Sequence, residues 1–157
     1  MEFVRYQARL ASSSGRFPGV FATFNGLFYD GRLSTSEQQW RCVNNAWFET
    51  HLIDPGKVDE TVFDRTIRPH TSSWFRSDAA EFVDRTFRYL DILDAHHVDW
   101  IELSSSDPGP VIYSDHLQVV VAARHDPDQL DERITARSPS EARLRFARSG
   151  AHGAHRR

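Results

Sequence analysis

Three groups of side chains in this 157-residue chain have types and spacings suited to chemistry. The first lies in WRCVNNAWFETHLIDPG (residues 40–56), which brings an amide (Asn44), an imidazole (His51) and a carboxylate (Asp54) close together in sequence. At about 100° per residue, Trp40, Val43, Asn44, Trp47 and His51 share one side of a helix, while Cys42, Asn45 and Glu49 fall opposite. Such a face sets an acid–base group beside two tryptophans that can enclose a flat ligand. It also separates Cys42 from His51, which excludes a thiolate–imidazole pair within this helix. Asn44 must find partners among the aromatic rings, because a buried unpaired amide is costly. A bond to nearby backbone would satisfy it as well as a ligand would.

The second group is Asp115 and His116 in YSDHLQ. Neighbours on a regular strand point to opposite faces, so the two cannot form a dyad with each other. They join His51 and Asp54 in a His/carboxylate site only if the sheet edge meets the end of the Trp-bearing helix. Turn formation by Asp115 is the alternative. The third group is Arg143, Arg145 and Arg148, interleaved with Leu144 and Phe146. It suits an acidic protein partner or RNA; a solvated extension is the alternative.

Several signatures are absent: there is no P-loop, GxGxxG, GxSxG, HExxH or His-x-His pattern. No metal site and no cofactor are assigned. Cys42 is the only cysteine, so neither an intrachain disulfide nor a multi-cysteine zinc site can form. A buried structural thiol is expected there.

The surrounding periodicity supplies the scaffold. FVRYQARL alternates as a half-buried strand, with Val4, Tyr6, Ala8 and Leu10 on one side and Arg5, Gln7 and Arg9 on the other. Phe17, Val20, Phe21, Phe24, Leu27 and Phe28 recur at helical spacing, with Pro18 expected at the first helical position and Gly31 past the end. Ser34 and Glu37 make a capping box for the Trp-bearing helix. A short helix capped by Asp59 is expected next. A long one follows, capped by Ser72 or Ser73, with Phe75, Ala79, Phe82, Val83, Thr86, Leu90 and Leu93 inward and His96 and His97 at its carboxyl end. Strands are expected at 98–103, VIY and LQVVVA. The run Val119, Val120, Val121 predicts a strand buried on both faces, flanked by the first strand and by 98–103. Ser138, Pro139 and Glu141 predict a short helix near 139–149.

The formal charge of −3 hides −6 over residues 1–123 and +3 over 124–157. An acidic body disfavours nucleic acid there, leaving the basic tail as the only segment suited to it. No apolar run approaches the roughly 20 residues of a membrane span, and the N-terminal residues do not read as a secretory leader. The arginine bias reads as GC-rich coding, and a bacterial cytoplasmic protein is expected. The expected fold is α+β: a small, mainly antiparallel sheet in β-α-α-α-β-β order, covered by about three helices. One globular domain is expected over 1–123, with a largely flexible basic tail over 124–157. The expected function is non-catalytic binding of an unknown protein or small molecule. The alternative is a small cofactor-independent hydrolase, isomerase or cyclase using His51 and a carboxylate.

Overall fold

The computed structural model describes residues 1–123 and 131–153. In chain order the elements are β1 (Phe3–Ala8), α1 (Val20–Tyr29), α2 (Thr35–His51), α3 (Pro55–Val58), β2 (Thr71–Arg76), α4 (Ala80–Ala95), β3 (Trp100–Ser105), β4 (Val111–Ser114), β5 (Gln118–Ala122), β6 (Thr135–Arg137) and α5 (Pro139–Gly153). The fold is α+β. Six strands form one sheet in the order β4-β5-β2-β1-β3-β6, and every pairing is antiparallel. Among the described residues, no helix is long and apolar enough to cross a membrane.

Alternation along the strands gives the sheet two unlike faces. Val4, Tyr6, Phe75 and Trp100 join helix residues such as Phe24, Phe48, Phe82, Leu90 and Ala142 in the main core. The other face carries a small cluster of Trp74, Val119 and Val121, with Phe3, Leu103 and Ile134 packed against it. Among the described residues, no helix residue belongs to that second cluster.

Several expectations are corrected. The long helix does not start at Ser72 or Ser73. Those residues belong to β2, where Ser72 pairs with Val121 and Ser73 with Val120, and helix α4 begins at Ala80. Periodicity over 72–79 fits a helix, but long-range pairing with two neighbours overrides it, as tertiary context commonly does for strands. Strand β5 therefore lies between β4 and β2, not between β1 and β3. The tight 115–117 connection forces β4 to its side, and β2 takes the other edge. The described helices number five, and the strand–helix order differs accordingly.

Smaller shifts follow from capping. Gly19, not a residue before Pro18, caps α1, so Pro18 stands outside the helix. The short helix spans Pro55–Val58 and is capped by Asp54, whose Oδ1 accepts from Gly56 N at 2.9 Å. Asp59 instead closes a turn, accepting from Thr61 N and Oγ1 at 2.9 and 2.7 Å. The box at the start of α2 forms as read. His96 caps α4 and reaches Glu37 Oε2 at 2.9 Å, and His97 takes the left-handed conformation (φ 57°).

Residues 135–153, read from sequence as part of a tail, contribute strand β6 and helix α5. The reason sits on β3. Glu102 is fully buried on the helix-covered face, and an ionised carboxylate there needs cations. Arg145 meets it with two bonds of 2.8 and 2.7 Å, and Arg137 approaches at 3.4 Å. Ala142 is fully buried and Phe146 stacks 4.4 Å from Phe87. Residues 124–130 and 154–157 of the expected tail lie outside the described residues.

Removing one partner of this buried pair strands the other. Arg145→Met is expected to destabilise the protein by about 3 kcal/mol in urea denaturation. Adding Glu102→Gln to that variant should restore part of the loss. A single variant as stable as the parent would contradict α5 docking through this pair.

Candidate functional site

The residues chosen from sequence do not converge. His51 is exposed at the end of α2, its ring stacked on Trp47 at 4.3 Å and its Nδ1 2.7 Å from Trp47 O. Asp54 is occupied as the α3 cap. Asp115 builds the β4–β5 turn, accepting from Leu117 N at 2.8 Å, Gln118 N at 3.0 Å and Tyr113 Oη at 2.8 Å. His116 is exposed beside it. Gln118 ties the two regions, donating to Ile53 O at 2.7 Å and Asp115 Oδ2 at 3.2 Å. Among the described residues no hydrogen bond or ion pair joins His51, Asp54, Asp115 and His116 to one another.

The Trp-bearing helix is rotated from the expected face. Asn44 and Phe48 are buried, Trp40, Asn45 and Trp47 are half-buried, and Val43 and Cys42 face outward. The expected buried thiol is therefore an exposed one. Phe48 sets the rotation by packing on Phe21, Phe75, Phe82 and Tyr89. Tyr89 is buried and its hydroxyl needs an acceptor, which Asn45 Oδ1 supplies at 2.9 Å. Asn45 is thus turned inward instead of to water. Asn44 donates to Trp40 O at 2.9 Å. Trp40 packs on Phe24 and Tyr89, while Trp47 carries the Arg85 guanidinium 3.9 Å from its ring. Arg143 pairs with Asp91 and Asp94, Arg145 with Glu102, and Arg148 is exposed on a shallow groove between β6 and α5.

A more enclosed concave feature lies elsewhere, on the face that carries Trp74. Strands β1 and β2 pair only at Phe3–Arg76 and Val4–Phe75 and then part. Residues 17–19 enter the gap: Ala8 N donates to Pro18 O at 2.9 Å, and Gly19 forms a lone bridge with Gln7. The Arg5 side chain fills what remains. It donates from Nη1 to Ser73 O at 3.0 Å, from Nη2 to Phe17 O at 3.2 Å and from Nε to Gln7 Oε1 at 2.9 Å. Ser73 O is the backbone acceptor that separation of the strands would leave without a partner.

A cleft of about 700 Å³ opens over this split. Its walls include Phe17, Trp74, Ile101, Leu103 and Ile134. Arg5, Arg9, Arg16, Arg65 and His70 also line it. Among the described residues, no carboxylate pairs with any of these four arginines. Asp131, the one acidic lining residue among those described, accepts from Arg133 N at 3.0 Å and lies 3.8 Å from its guanidinium. Burial lowers the Arg5 pKa to about 10, so it remains cationic at neutral pH. Four of the eleven basic side chains within the acidic span 1–123 thus meet in one concavity.

The alternation of the first strand puts Arg5, Gln7 and Arg9 on its polar side and does not single them out as a site. One signal could have flagged them. A strand at the centre of a sheet has no solvated edge, so an arginine on it lies over other strands. Among the described residues, no group of three or more His, Cys, Asp or Glu is placed to hold a metal ion.

Burial of Asp115 opposes its ionisation, but the bonds from Leu117, Tyr113 and Gln118 outweigh this and hold its carboxyl below the ordinary range. A carboxyl depressed in the folded state stabilises above its unfolded value, and that increment is lost as pH falls through the folded value. Asp115→Asn is expected to cost about 0.5–1 kcal/mol at neutral pH, kept small by solvent screening. The difference should shrink below about pH 3. Denaturation curves at both pH values provide the check, and an equal loss at each would contradict this.

Comparison of the chain with family models, with curated proteins and with solved structures gives no match.

Proposed function

We propose that this protein binds a small molecule in the cleft between the parting strands β1 and β2, without catalysing its conversion. One observation carries the reading: the sheet opens where it would ordinarily be continuous, and the opening is a concavity of about 700 Å³ with aromatic and aliphatic walls. That volume falls in the ordinary range for small-ligand sites, roughly 300–1,000 Å³. Polar groups able to orient a ligand border the apolar walls, among them Arg5, Gln7, Ser72 and His70. Ser72 is itself fixed, accepting from Trp74 Nε1 at 2.8 Å.

Nothing in this arrangement supplies a nucleophile with an attached base. The nearest lining hydroxyls belong to serines and threonines without a histidine partner among the described residues. His51, Asp54, Asp115 and His116 do not line the cleft, so binding there makes no use of a His/carboxylate pair formed from them.

Fluorescence titration with an uncharged probe, N-phenyl-1-naphthylamine, and a charged one, 1-naphthoate, tests the site. At least one should bind with saturation. Ala136→Trp, an exposed residue on the cleft wall, should weaken binding by about tenfold or more, the scale of a blocked apolar contact. Failure of both probes, or binding indifferent to the substitution, would dispose of the reading.

A further inference from the structure

Given a ligand in the cleft, Arg5 dictates its chemistry, and the inference rests on that reading. A guanidinium has five N–H donors. Three are committed here, to Gln7, Ser73 and Phe17. One N–H on each Nη remains, and no acceptor among the described residues takes it. Two donors on adjacent terminal nitrogens match the two oxygens of a carboxylate end-on.

Gly19 stands beside that end of Arg5. A Cβ built on Gly19 would lie 3.4 Å from both Nη atoms. A methyl there would make ordinary contact with the guanidinium and take space that a ligand at the free donors would use. Gly19 has an ordinary φ of −67°, so backbone conformation does not require glycine there. Arg145 and Arg143 are each satisfied by carboxylates of this chain, whereas Arg5, like the half-buried Arg41 on Asn25 Oδ1, has only neutral acceptors; of these two, Arg5 lines the cleft. A cation withdrawn from water with no counter-charge is a standing cost that a bound anion removes.

We infer that the cleft takes an organic monoanion: a carboxylate held end-on by Arg5, carried on a flat apolar body that lies along Trp74, Ile101 and Leu103. Arg9 and Arg65, exposed at the rim, draw such an anion toward the opening. A carboxylate fits better than a phosphate. The two free donors of Arg5 match its two oxygens, whereas a phosphate would leave an oxygen unpaired there.

The test is calorimetric titration of the intact protein with 1-naphthoate, its neutral isostere 1-naphthamide, and 1-naphthyl phosphate. The expected result is that naphthoate binds at least about tenfold tighter than the amide and tighter than the phosphate ester. Arg5→Gln should erase the preference over the amide. Gly19→Ala should cut naphthoate affinity several-fold and leave the amide unchanged. That second variant removes no charge and no strand contact, so it decides the matter even if Arg5→Gln fails to fold. Equal binding of acid and amide would overturn the carboxylate assignment while leaving the cleft a ligand site. So would a preference that survives both substitutions, or tighter binding of the phosphate ester. Binding of none of the three would remove the cleft reading itself.

Discussion

A guanidinium set where two strands part is the contact on which the architecture of this sheet turns. Strands β1 and β2 sit at its middle, yet they pair over two positions only. Backbone groups in the interior need partners, so an opening there is tolerated only if something replaces the missing ladder. Arg5 does so from one side through Ser73 O, and residues 17–19 do so from the other through the bond between Ala8 N and Pro18 O. The segment leading into α1 is therefore held as a wedge. The position of the whole α1 aromatic stripe follows from it, because Gly19 is both the last residue of the wedge and the cap of the helix.

Two buried ionic arrangements give the two faces different characters. On the helix-covered face, Glu102 is fully enclosed, but two arginines compensate it and bind α5 and β6 to the sheet. Tyr6, its cross-strand neighbour, has a buried hydroxyl without a hydrogen bond, and burial and then the Glu102 carboxylate push its ionisation up. That pair closes a core. On the open face, Arg5 has neutral partners and donors to spare. Replacing a compensated ion pair by apolar side chains is often neutral or stabilising, so such a pair is weak grounds for function. An uncompensated cation beside an apolar concavity is another matter, since the fold gains nothing electrostatically from leaving it unpaired.

What could be read from sequence was local and periodic. Ser34–Glu37 and Ser138–Glu141 announce helix starts because a cap is completed within four residues, and both form. Gly31 marks the end of α1 for the same reason. The α1 phenylalanines read as core and are core. What stayed hidden depends on partners far away in the chain. Ser72 and Ser73 look like helix caps until Val121 and Val120 are set beside them, 49 and 47 positions later. Asn45 looks solvent-facing until Tyr89 supplies a buried hydroxyl. The arginines of α5 look like a solvated face until Glu102, itself disguised as a strand residue of ordinary alternation, is seen to be enclosed. The cleft combines all of these obstacles, since its lining comes from β1, the 9–19 loop, the 63–70 loop, β2, β3 and the 131–136 segment.

The polar residues of the Trp-bearing helix show why rich local chemistry can mislead. An imidazole, an amide and two indoles on adjacent turns satisfy one another: His51 stacks on Trp47 and approaches its carbonyl, and Asn44 bonds Trp40 one turn back. Groups that meet at i, i+4 are neighbours by helical geometry alone, and their proximity records the helix, not a site. Arg5, Gly19 and Trp74 are brought together by nothing local. Their meeting requires a strand to diverge, a loop to enter and a third segment to line the gap. Such a convergence leaves donors of Arg5 free in a concavity, an arrangement that helical spacing cannot produce.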